Sequence, residues 1–224
     1  MTHLRNRNEG FTLVEMLVAM AIGAIVMAAV YSTYSTQQRS YILQEQVAAM
    51  QQNIRASMYY ITRDIRMAGC DPTGNANAGI TAAGPTSISF TRDIRTGNDP
   101  ANNTADGSTN GWNESVIYAL DAVNNQITRG GQALAANIDA LDFVYLDPNG
   151  NVLNPGQSSV PSASVPNIQS VQITVVARTG RGDPKYRNND SFFNQVDTVN
   201  PIFTAPDDNL RRKTLTSNIR CRNL

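Results

Sequence analysis

The chain has 224 residues, of which 41% are hydrophobic and 16% are charged, a length that allows one globular domain with an additional extended element. Basic and acidic side chains number 18 each, so net charge points to no nucleic-acid partner, and we predict no direct nucleic-acid binding. The one histidine, His3, lies at the extreme N-terminus. A chain without it lacks the imidazole of Ser/His/Asp and Cys/His catalysis and of most zinc sites, so we expect no enzyme, no cofactor and no metal.

The N-terminal segment joins a polar stretch to a long apolar one. Residues 1–10 carry Arg5 and Arg7, whereas residues 11–30 contain a single ionisable side chain, Glu15. Twenty apolar residues in a helix span about 30 Å, which matches the hydrocarbon core of a bilayer. By the positive-inside rule the two arginines stay in the cytoplasm and everything after residue 30 lies on the far side. No small-residue cleavage site precedes the polar residues 31–40, so we expect the apolar segment to be retained.

Glu15 needs a partner, because a carboxylate inside an apolar membrane segment costs about 2.5 to 3.5 kcal/mol unless it is neutralised. A cleavage before Phe11 would create an α-amino group close to it in sequence. In an assembled fibre that amine could belong to a neighbouring subunit. The pattern therefore favours this α-amino group as the partner of Glu15.

Residues 10–22, GFTLVEMLVAMAI, resemble the prepilin signature of type IV pilins and type II secretion pseudopilins. The resemblance implies that a membrane-embedded prepilin peptidase cuts after Gly10 and methylates the new N-terminus, Phe11. Thr12 and Glu15 fall on the family's threonine and glutamate positions, which implies that Glu15 sets the alignment of subunits during assembly. The alternative interpretation is an uncleaved signal anchor, which would hold a periplasmic binding protein or enzyme that never enters a fibre.

The apolar segment continues into an amphipathic one. Residues 31–68 contain no proline or glycine, and one helical run from Phe11 to about Met67 would be about 85 Å long. A left-handed Gly69 is expected to end it. The apolar stripe of this second half recurs every three or four residues and comprises Leu43, Val47, Met50, Ile54, Met58, Ile61, Ile65 and Ala68.

Charged side chains near the end of this helix, Arg63, Asp64 and Arg66, are expected on a solvated face or in a salt link between subunits. The two cysteines, Cys70 and Cys221, fit neither a metal-ligand spacing nor a CxxC motif. In an exported domain they would pair and tie the end of the helix to the last strand, and two buried free thiols are the alternative.

Beyond residue 70 short alternating runs are separated by Gly, Pro, Asn and Asp, which is typical of strands and turns. An antiparallel sheet laid against the amphipathic stripe predicts an α+β fold. A hairpin is expected at Asp147–Asn151, and long surface loops at 96–113 and 180–208, which are either a functional surface or connectors. The predicted strands are Ser87–Ile94, Ser115–Leu120, Ile138–Leu146, Ile168–Arg178 and Thr214–Arg222.

Two groups of loop oxygens and one tripeptide offer sharper hypotheses. Neither oxygen group matches the EF-hand pattern, so solvated loops are favoured over calcium sites. The tripeptide, residues 181–183, spells RGD and is better explained by chance than by adhesion. The oxygen groups are Asp106, Asn110, Asn113 and Glu114, and Asp147, Asn149 and Asn151.

Residues 37–74 and the C-terminal residues 211–224 resemble the minor pilins usually called PilW, although pseudopilin J of type II secretion shares much of the pattern. The resemblance implies a minor pilin that initiates or tips a type IV pilus, with a type II secretion minor pseudopilin as the alternative. Its implied partners are other pilin and minor pilin subunits, the prepilin peptidase, the inner-membrane assembly platform, and membrane lipid before assembly. The chain would be a single-pass inner-membrane protein with a periplasmic C-terminal domain, and later part of a cell-surface pilus.

The predicted organisation has four parts along the chain. The polar residues 1–10 form the leader peptide, and residues 11–35 form the hydrophobic helix of the membrane or filament core. The amphipathic helix of the globular domain covers residues 36–69, and the β-rich domain covers residues 70–224.

Overall fold

The computed structural model describes residues 10–95 and 101–224. Most of the predicted leader, residues 1–9, therefore lies outside the described residues, as does the start of the predicted loop at 96–113. One long helix, α1, runs from Leu13 to Arg66 over 54 residues. The chain divides into two compact units, Met1–Glu45 and Gln46–Leu224, and the division falls within α1.

In the first unit the described residues are almost entirely helical. The sequence explains this, since it contains no proline and only Gly23 interrupts a run of helix-forming side chains. All residues from Gly10 to Val30 are exposed. This half of α1 therefore buries no apolar side chain within its own unit.

In the second unit α1 buries the stripe that the sequence predicts. Met50, Ile54, Met58, Ile61, Ile65 and Ala68 are all buried, while Leu43 in the first unit and Val47 in the second are half-buried. The helix ends at Arg66, one residue before the expected end, and is followed by a tight turn. Gly69 has φ of +76° in that turn, which confirms the left-handed stop.

The strands of the second unit form two larger sheets and a small ribbon, and all of their pairings are antiparallel. The five-stranded sheet has the order β1-β2-β3-β4-β5, the three-stranded sheet the order β10-β7-β6, and the ribbon pairs β8 with β9. The strands are β1 Ile80–Ala83, β2 Ser87–Thr91, β3 Ser115–Asp121, β4 Gln126–Arg129, β5 Gln132–Ala136, β6 Ile138–Leu146, β7 Ser170–Arg178, β8 Ser191–Phe192, β9 Phe203–Thr204 and β10 Arg212–Arg220.

The core lies where the helix stripe meets both larger sheets. It includes Ile61 and Ile65 from α1, Phe90 and Tyr118 from the five-stranded sheet, and Phe143 from the three-stranded sheet. Strand β2 supplies its core side chains by alternation, with the pattern iBiBi, whereas β6 is buried along nearly its whole length. The predicted α+β fold of a long helix on antiparallel sheet is therefore confirmed.

Strands with a clear alternation of apolar and polar residues could be predicted from the sequence, and short strands without it could not. Strand β6 has the predicted bounds, and β3, β7 and β10 lie within two residues of theirs. The predicted strand from Ser87 extended three residues too far, because the chain leaves the sheet after Thr91 to bury polar Arg92 and Asp93. Strands β1, β4, β5, β8 and β9 were missed, since they are short and rich in Ala, Gln, Ser or Thr.

The predicted hairpin at Asp147–Asn151 is only partly formed. The Asp147 N–H donates to the Asn151 carbonyl at 3.0 Å, so the chain does reverse there. The returning segment makes an isolated bridge between Leu146 and Val152, and β6 pairs along its length with β7 instead. The loop expected at residues 180–208 also contains more structure than predicted, because it includes the β8–β9 ribbon.

Candidate functional site

The start of α1 brings together two of the predicted site residues. The Thr12 N–H and hydroxyl donate to Glu15 Oε2 at 2.9 and 3.0 Å, and the Glu15 N–H donates to Thr12 Oγ1 at 3.2 Å. This reciprocal pattern is a capping box, in which the side chains at the N-cap and N3 positions satisfy backbone donors that the helix leaves open. Thr12 and Glu15 therefore fix where the helix begins.

The capping box uses one oxygen of the Glu15 carboxylate. Within residues 10–95 and 101–224, Oε1 accepts no hydrogen bond, and the side chain is exposed. Gly10 and Phe11 precede the cap in an exposed segment outside the helix, and Phe11 keeps 87% of its surface accessible. The arrangement places a free carboxylate oxygen and an accessible Gly10–Phe11 bond at the same end of the helix.

The apolar surface of the first unit extends from this end. Phe11, Leu13 and Ile25 are 87%, 76% and 71% exposed, values that core side chains never reach. The helix is long and apolar enough to cross a membrane. Since a soluble domain rarely leaves so much contiguous apolar surface in water, this surface requires lipid or protein around it.

A buried charge cluster in the second unit was not predicted. Asp64 is 3% exposed, so the expectation that it lies on a solvated face or in a link between subunits is wrong. It accepts from Arg92 at 3.2 Å, from Arg129 at 2.8 Å and from the Tyr118 hydroxyl at 2.9 Å. Arg129 also donates to Asn113 Oδ1 at 2.6 Å, so the cluster links α1 to the five-stranded sheet and to the loop before β3.

Electrostatics keeps this cluster charged. Burial would raise the pKa of Asp64, but the hydrogen bond from Arg129 and the charge of Arg92 outweigh it and hold that pKa below its ordinary value. Burial and the negative charge of Asp64 raise the pKa of Tyr118, so its hydroxyl remains a donor. The sequence does contain an indication that Asp64 is buried. Asp64 follows Ile61 by three residues and precedes Ala68 by four, so it lies on the apolar stripe of the helix.

By contrast, Arg63 and Arg66 are exposed, as the sequence predicts. Their exposure follows from the helical repeat, which turns positions next to Asp64 and Ile65 away from the sheet. The two arginines differ from Arg92 and Arg129 in having no ion pair with any described residue.

The two cysteines are both free thiols in this structure, with Cys70 half-buried and Cys221 buried. Burial raises the pKa of the Cys221 thiol to about 11. The chain segments that carry them are close together, since the Asn223 side-chain amide donates to the Arg66 carbonyl at 3.2 Å and a Cβ at Gly69 would meet Leu224. Their pairing stays a prediction.

The three carboxylates among the loop oxygens that suggested calcium ligation, those of Asp106, Glu114 and Asp147, accept hydrogen bonds from the protein itself. Glu114 accepts the N–H groups of Ile94 and Arg95 through Oε1 and that of Gly111 through Oε2. Asp147 accepts from the Asn149 and Asn151 N–H groups, and the side-chain hydrogen bond from Asn151 is the main cause of its lowered pKa. These carboxylates act as turn acceptors.

The tripeptide at residues 181–183 is likewise part of the fold. Asp183 accepts from Arg211 at 2.8 Å, and its N–H donates to the Asn209 carbonyl at 2.8 Å. The carboxylate that an adhesion motif would present is thus held by an internal ion pair.

Comparison with known proteins bears on the N-terminal segment and on the fold. Residues 5–31 match the family described as "Prokaryotic N-terminal methylation motif". No curated protein matches the chain at a significant level. Among solved structures, the type IV-like pilin TTHA1219 from Thermus thermophilus superposes with a TM-score of 0.50 at 10% identity, over 81% of this chain and 98% of that one.

The chain has a type IV pilin-like fold. The methylation motif covers Phe11, Thr12 and Glu15 and ends within the exposed apolar helix, so motif and fold together support a place in the type IV pilin-like superfamily. The resemblance read from residues 10–22 is confirmed at this level. A methylation motif that leads into this apolar helix fits a membrane-anchored pilin-like protein.

Proposed function

We propose that this protein is a minor pilin of the PilW class, a structural subunit that helps to initiate a type IV pilus and lies at or near its tip. The observation that carries the proposal is the N-terminal methylation motif, which leads directly into an apolar helix exposed along residues 13–30 on a pilin-like fold. Such a helix is stable only in lipid or against other apolar helices. The function is therefore assembly rather than turnover, and no catalytic constellation is proposed.

The proposed maturation begins at the bond between Gly10 and Phe11. Prepilin peptidase cuts this bond while residues 11–35 hold the chain in the inner membrane, and Phe11 becomes the N-methylated N-terminus. The accessibility of Phe11 in the structure supports this step. The processed subunit then meets the inner-membrane assembly platform and other pilins, and moves from lipid into the filament with residues 36–69 and 70–224 forming its periplasmic, later surface-exposed, part.

Glu15 supplies registry in this proposal. Its Oε2 is occupied by Thr12, so the carboxylate is already oriented, and its Oε1 stays free to accept the α-amino group of a neighbouring subunit's Phe11. An oriented carboxylate loses less conformational entropy on pairing than a mobile one does. The salt link would neutralise a charge that lipid or the fibre core would otherwise disfavour.

Substitution of Glu15 tests this function directly. In a strain that lacks the chromosomal copy, E15A should insert in the membrane and be processed, yet be missing from sheared pili. Glu15→Gln is the sharper variant, since its amide oxygen can still cap Thr12 while the charge is gone. Loss of incorporation with both variants supports the charge mechanism, and normal piliation with E15A contradicts it.

A type II secretion minor pseudopilin is the closest alternative, because its spine shares the same prepilin signature. Deletion of the gene separates the two hypotheses. Loss of surface pili with intact protein secretion supports the pilus assignment, and loss of secretion with intact pili supports the pseudopilin. A chain that stays unprocessed and membrane-anchored would instead support a signal-anchored periplasmic binding protein or enzyme.

Pairing of Cys70 with Cys221 belongs to the same proposal, because the globular part would fold in an oxidising compartment. The contacts of Asn223 with Arg66 and of Leu224 with the Gly69 region support it by bringing the two chain segments together. Alkylation of the purified, unreduced protein followed by mass spectrometry tests it. Two alkylated thiols after unfolding would contradict the disulfide.

A further inference from the structure

The exposed face of α1 in the second unit carries a stripe of arginine and tyrosine. Arg55, Tyr59, Arg63 and Arg66 follow one another at intervals of four, four and three residues, so they share one helical face. All four are exposed, and Tyr59 keeps 64% of its surface accessible. Tyr60 supports it edge-on, with the ring centroids 5.8 Å apart. We call these residues, with Tyr60, the Arg/Tyr stripe.

The C-terminal segment contributes side chains next to the Arg/Tyr stripe. Tyr59, Arg63, Arg66 and Met67 line an open cleft together with Arg222, which follows β10. Arg222 and Met67 are both exposed. Two distant parts of the sequence therefore contribute basic and apolar side chains to one concave surface.

No acidic side chain in the part of the chain that the structure describes pairs with these arginines. Between Gln46 and Arg66 the only acidic side chain is that of Asp64, which is buried beneath Arg92 and Arg129, and residues 209–224 contain no Asp or Glu. Arg55, Arg63, Arg66 and Arg222 form no ion pair with any residue in 10–95 or 101–224. The charge of Asp64 is thus neutralised by Arg92 and Arg129, whereas the arginines of the stripe have no such partner among the described residues.

We propose that the Arg/Tyr stripe docks an acidic surface of a different pilin-like subunit. Arginine, tyrosine and methionine are the side chains enriched at protein interfaces, because they bury large areas and still form directional hydrogen bonds. Arginine in particular binds carboxylates through two parallel N–H donors. The inference rests on the proposed function, which supplies the class of partner.

Two other occupants fit the surface less well. A second copy packing through this stripe would place arginines against arginines, and like charges at an interface cost binding free energy. A nucleic acid would need a larger basic footprint than a chain with a net charge of +0 offers. Tyr59 and Tyr60 also pack against each other at 74°, which leaves no parallel pair of ring faces for stacked bases.

A photocrosslinking experiment on the full chain in native membranes tests this inference. A photoreactive phenylalanine is placed at Tyr59, and cross-linked products are identified by peptide mass spectrometry. We expect a product with a different pilin-like chain, attached within a segment rich in Asp or Glu. Replacing Arg63→Glu and Arg66→Glu together should lower its yield about tenfold or more, since two attractive contacts become repulsive.

Matched variants separate charge from folding. Arg63→Lys with Arg66→Lys keeps the charge and should retain most of the product, and Arg181→Glu reverses an exposed arginine elsewhere in the same unit and should change nothing. Replacing acidic residues of the mapped partner segment with lysine should restore the product of the variant that carries both Arg63→Glu and Arg66→Glu.

Every other outcome overturns the inference. A cross-link to a second copy, to nucleic acid or to a surface without acidic residues does so, and so does a yield that the charge reversal leaves unchanged. A missing cross-link in a chain that still begins at Phe11 rejects the docking surface alone. A chain that retains residues 1–10 rejects the proposed function itself, so the two failures are distinguishable.

Discussion

The two halves of α1 differ in whether their apolar side chains are buried within their own unit. In the second unit Met50, Ile54 and Ile61 are buried by the two sheets of the same unit, whereas in the first unit Leu13, Ile22 and Ile25 are exposed. Residues 13–30 are almost entirely apolar, whereas residues 46–66 carry apolar and polar side chains on different faces of the helix. Periodicity, rather than hydrophobicity, thus distinguishes a helix that packs on its own domain from one that packs on lipid or other chains.

The carboxylates of the two halves show the same difference. Asp64 receives two arginines and a tyrosine hydroxyl from its own chain, so its charge is satisfied internally. Within residues 10–95 and 101–224, Glu15 accepts hydrogen bonds only from Thr12, through one of its two carboxylate oxygens. In the first half of the helix, the apolar side chains are therefore uncovered and the Glu15 charge lacks a counter-charge among the described residues. Both features are expected of a subunit that assembles with other chains.

The largest effect is expected from Asp64→Asn, which removes the charge that Arg92 and Arg129 share. Arg92 is 3% exposed and would become a buried cation without a counter-charge. We expect a loss of about 3–5 kcal/mol in the free energy of unfolding. Urea unfolding of the detergent-solubilised chain, followed by Trp112 fluorescence, measures it.

Asp183→Asn is the matched control for that prediction. It breaks the ion pair with Arg211, whose side chain is 38% exposed, so the loss should be only about 0–1 kcal/mol. Equal losses for both variants would mean that the buried cluster contributes no more than a surface pair.

Ile61→Ala and Ile25→Ala compare the two halves with the same substitution. Ile61 is 0% exposed and its truncation should cost about 2–5 kcal/mol, because it leaves a cavity in the core. Ile25 is 71% exposed, so its truncation should leave the free energy of unfolding unchanged. Chemical denaturation of the two variants measures both free energies of unfolding. A destabilised Ile25→Ala chain would show that the first half packs on its own domain.

The pH dependence of Asp64 is a narrower test. The arginines hold its pKa in the folded chain below the ordinary value of 3.8, so the stabilisation by Asp64 is present above 3.8 and is lost as the pH falls through the lower, folded value. The difference in unfolding free energy between the wild type and Asp64→Asn should therefore be constant near neutral pH and shrink below pH 3.8. A difference that stays constant to the acid limit would contradict the ion-paired cluster.

The smallest effect is expected from Thr12→Ala, which removes the capping box. Loss of an N-cap costs about 0.5–2 kcal/mol locally, so the first turn should fray while the second unit keeps its stability. Amide hydrogen exchange near Leu13 and Val14 in detergent measures this, with Thr12→Ser as the control that keeps the hydroxyl. Unchanged exchange in Thr12→Ala would show that the cap does not hold the helix start.

Much of this architecture could be predicted from the sequence because single segments determine it. The helix stripe from Met50 to Ala68 and strand β6 follow from local periodicity alone. The Asp64 cluster could not be predicted, since its partners Arg92 and Arg129 come from distant segments that only the folded chain brings together. Strands β4 and β5 could not be predicted for a related reason. Their composition is not typical of strands, and they form because they pair with each other in the folded chain.

The central claim is that the first half of α1 belongs to a processed, assembling subunit, and the mass of the protein from native membranes tests it most directly. Intact and N-terminal peptide mass spectrometry should find a chain that begins at N-methylated Phe11, without residues 1–10. A chain that begins at Met1 or Thr2 would contradict the claim and leave an uncleaved membrane anchor in its place.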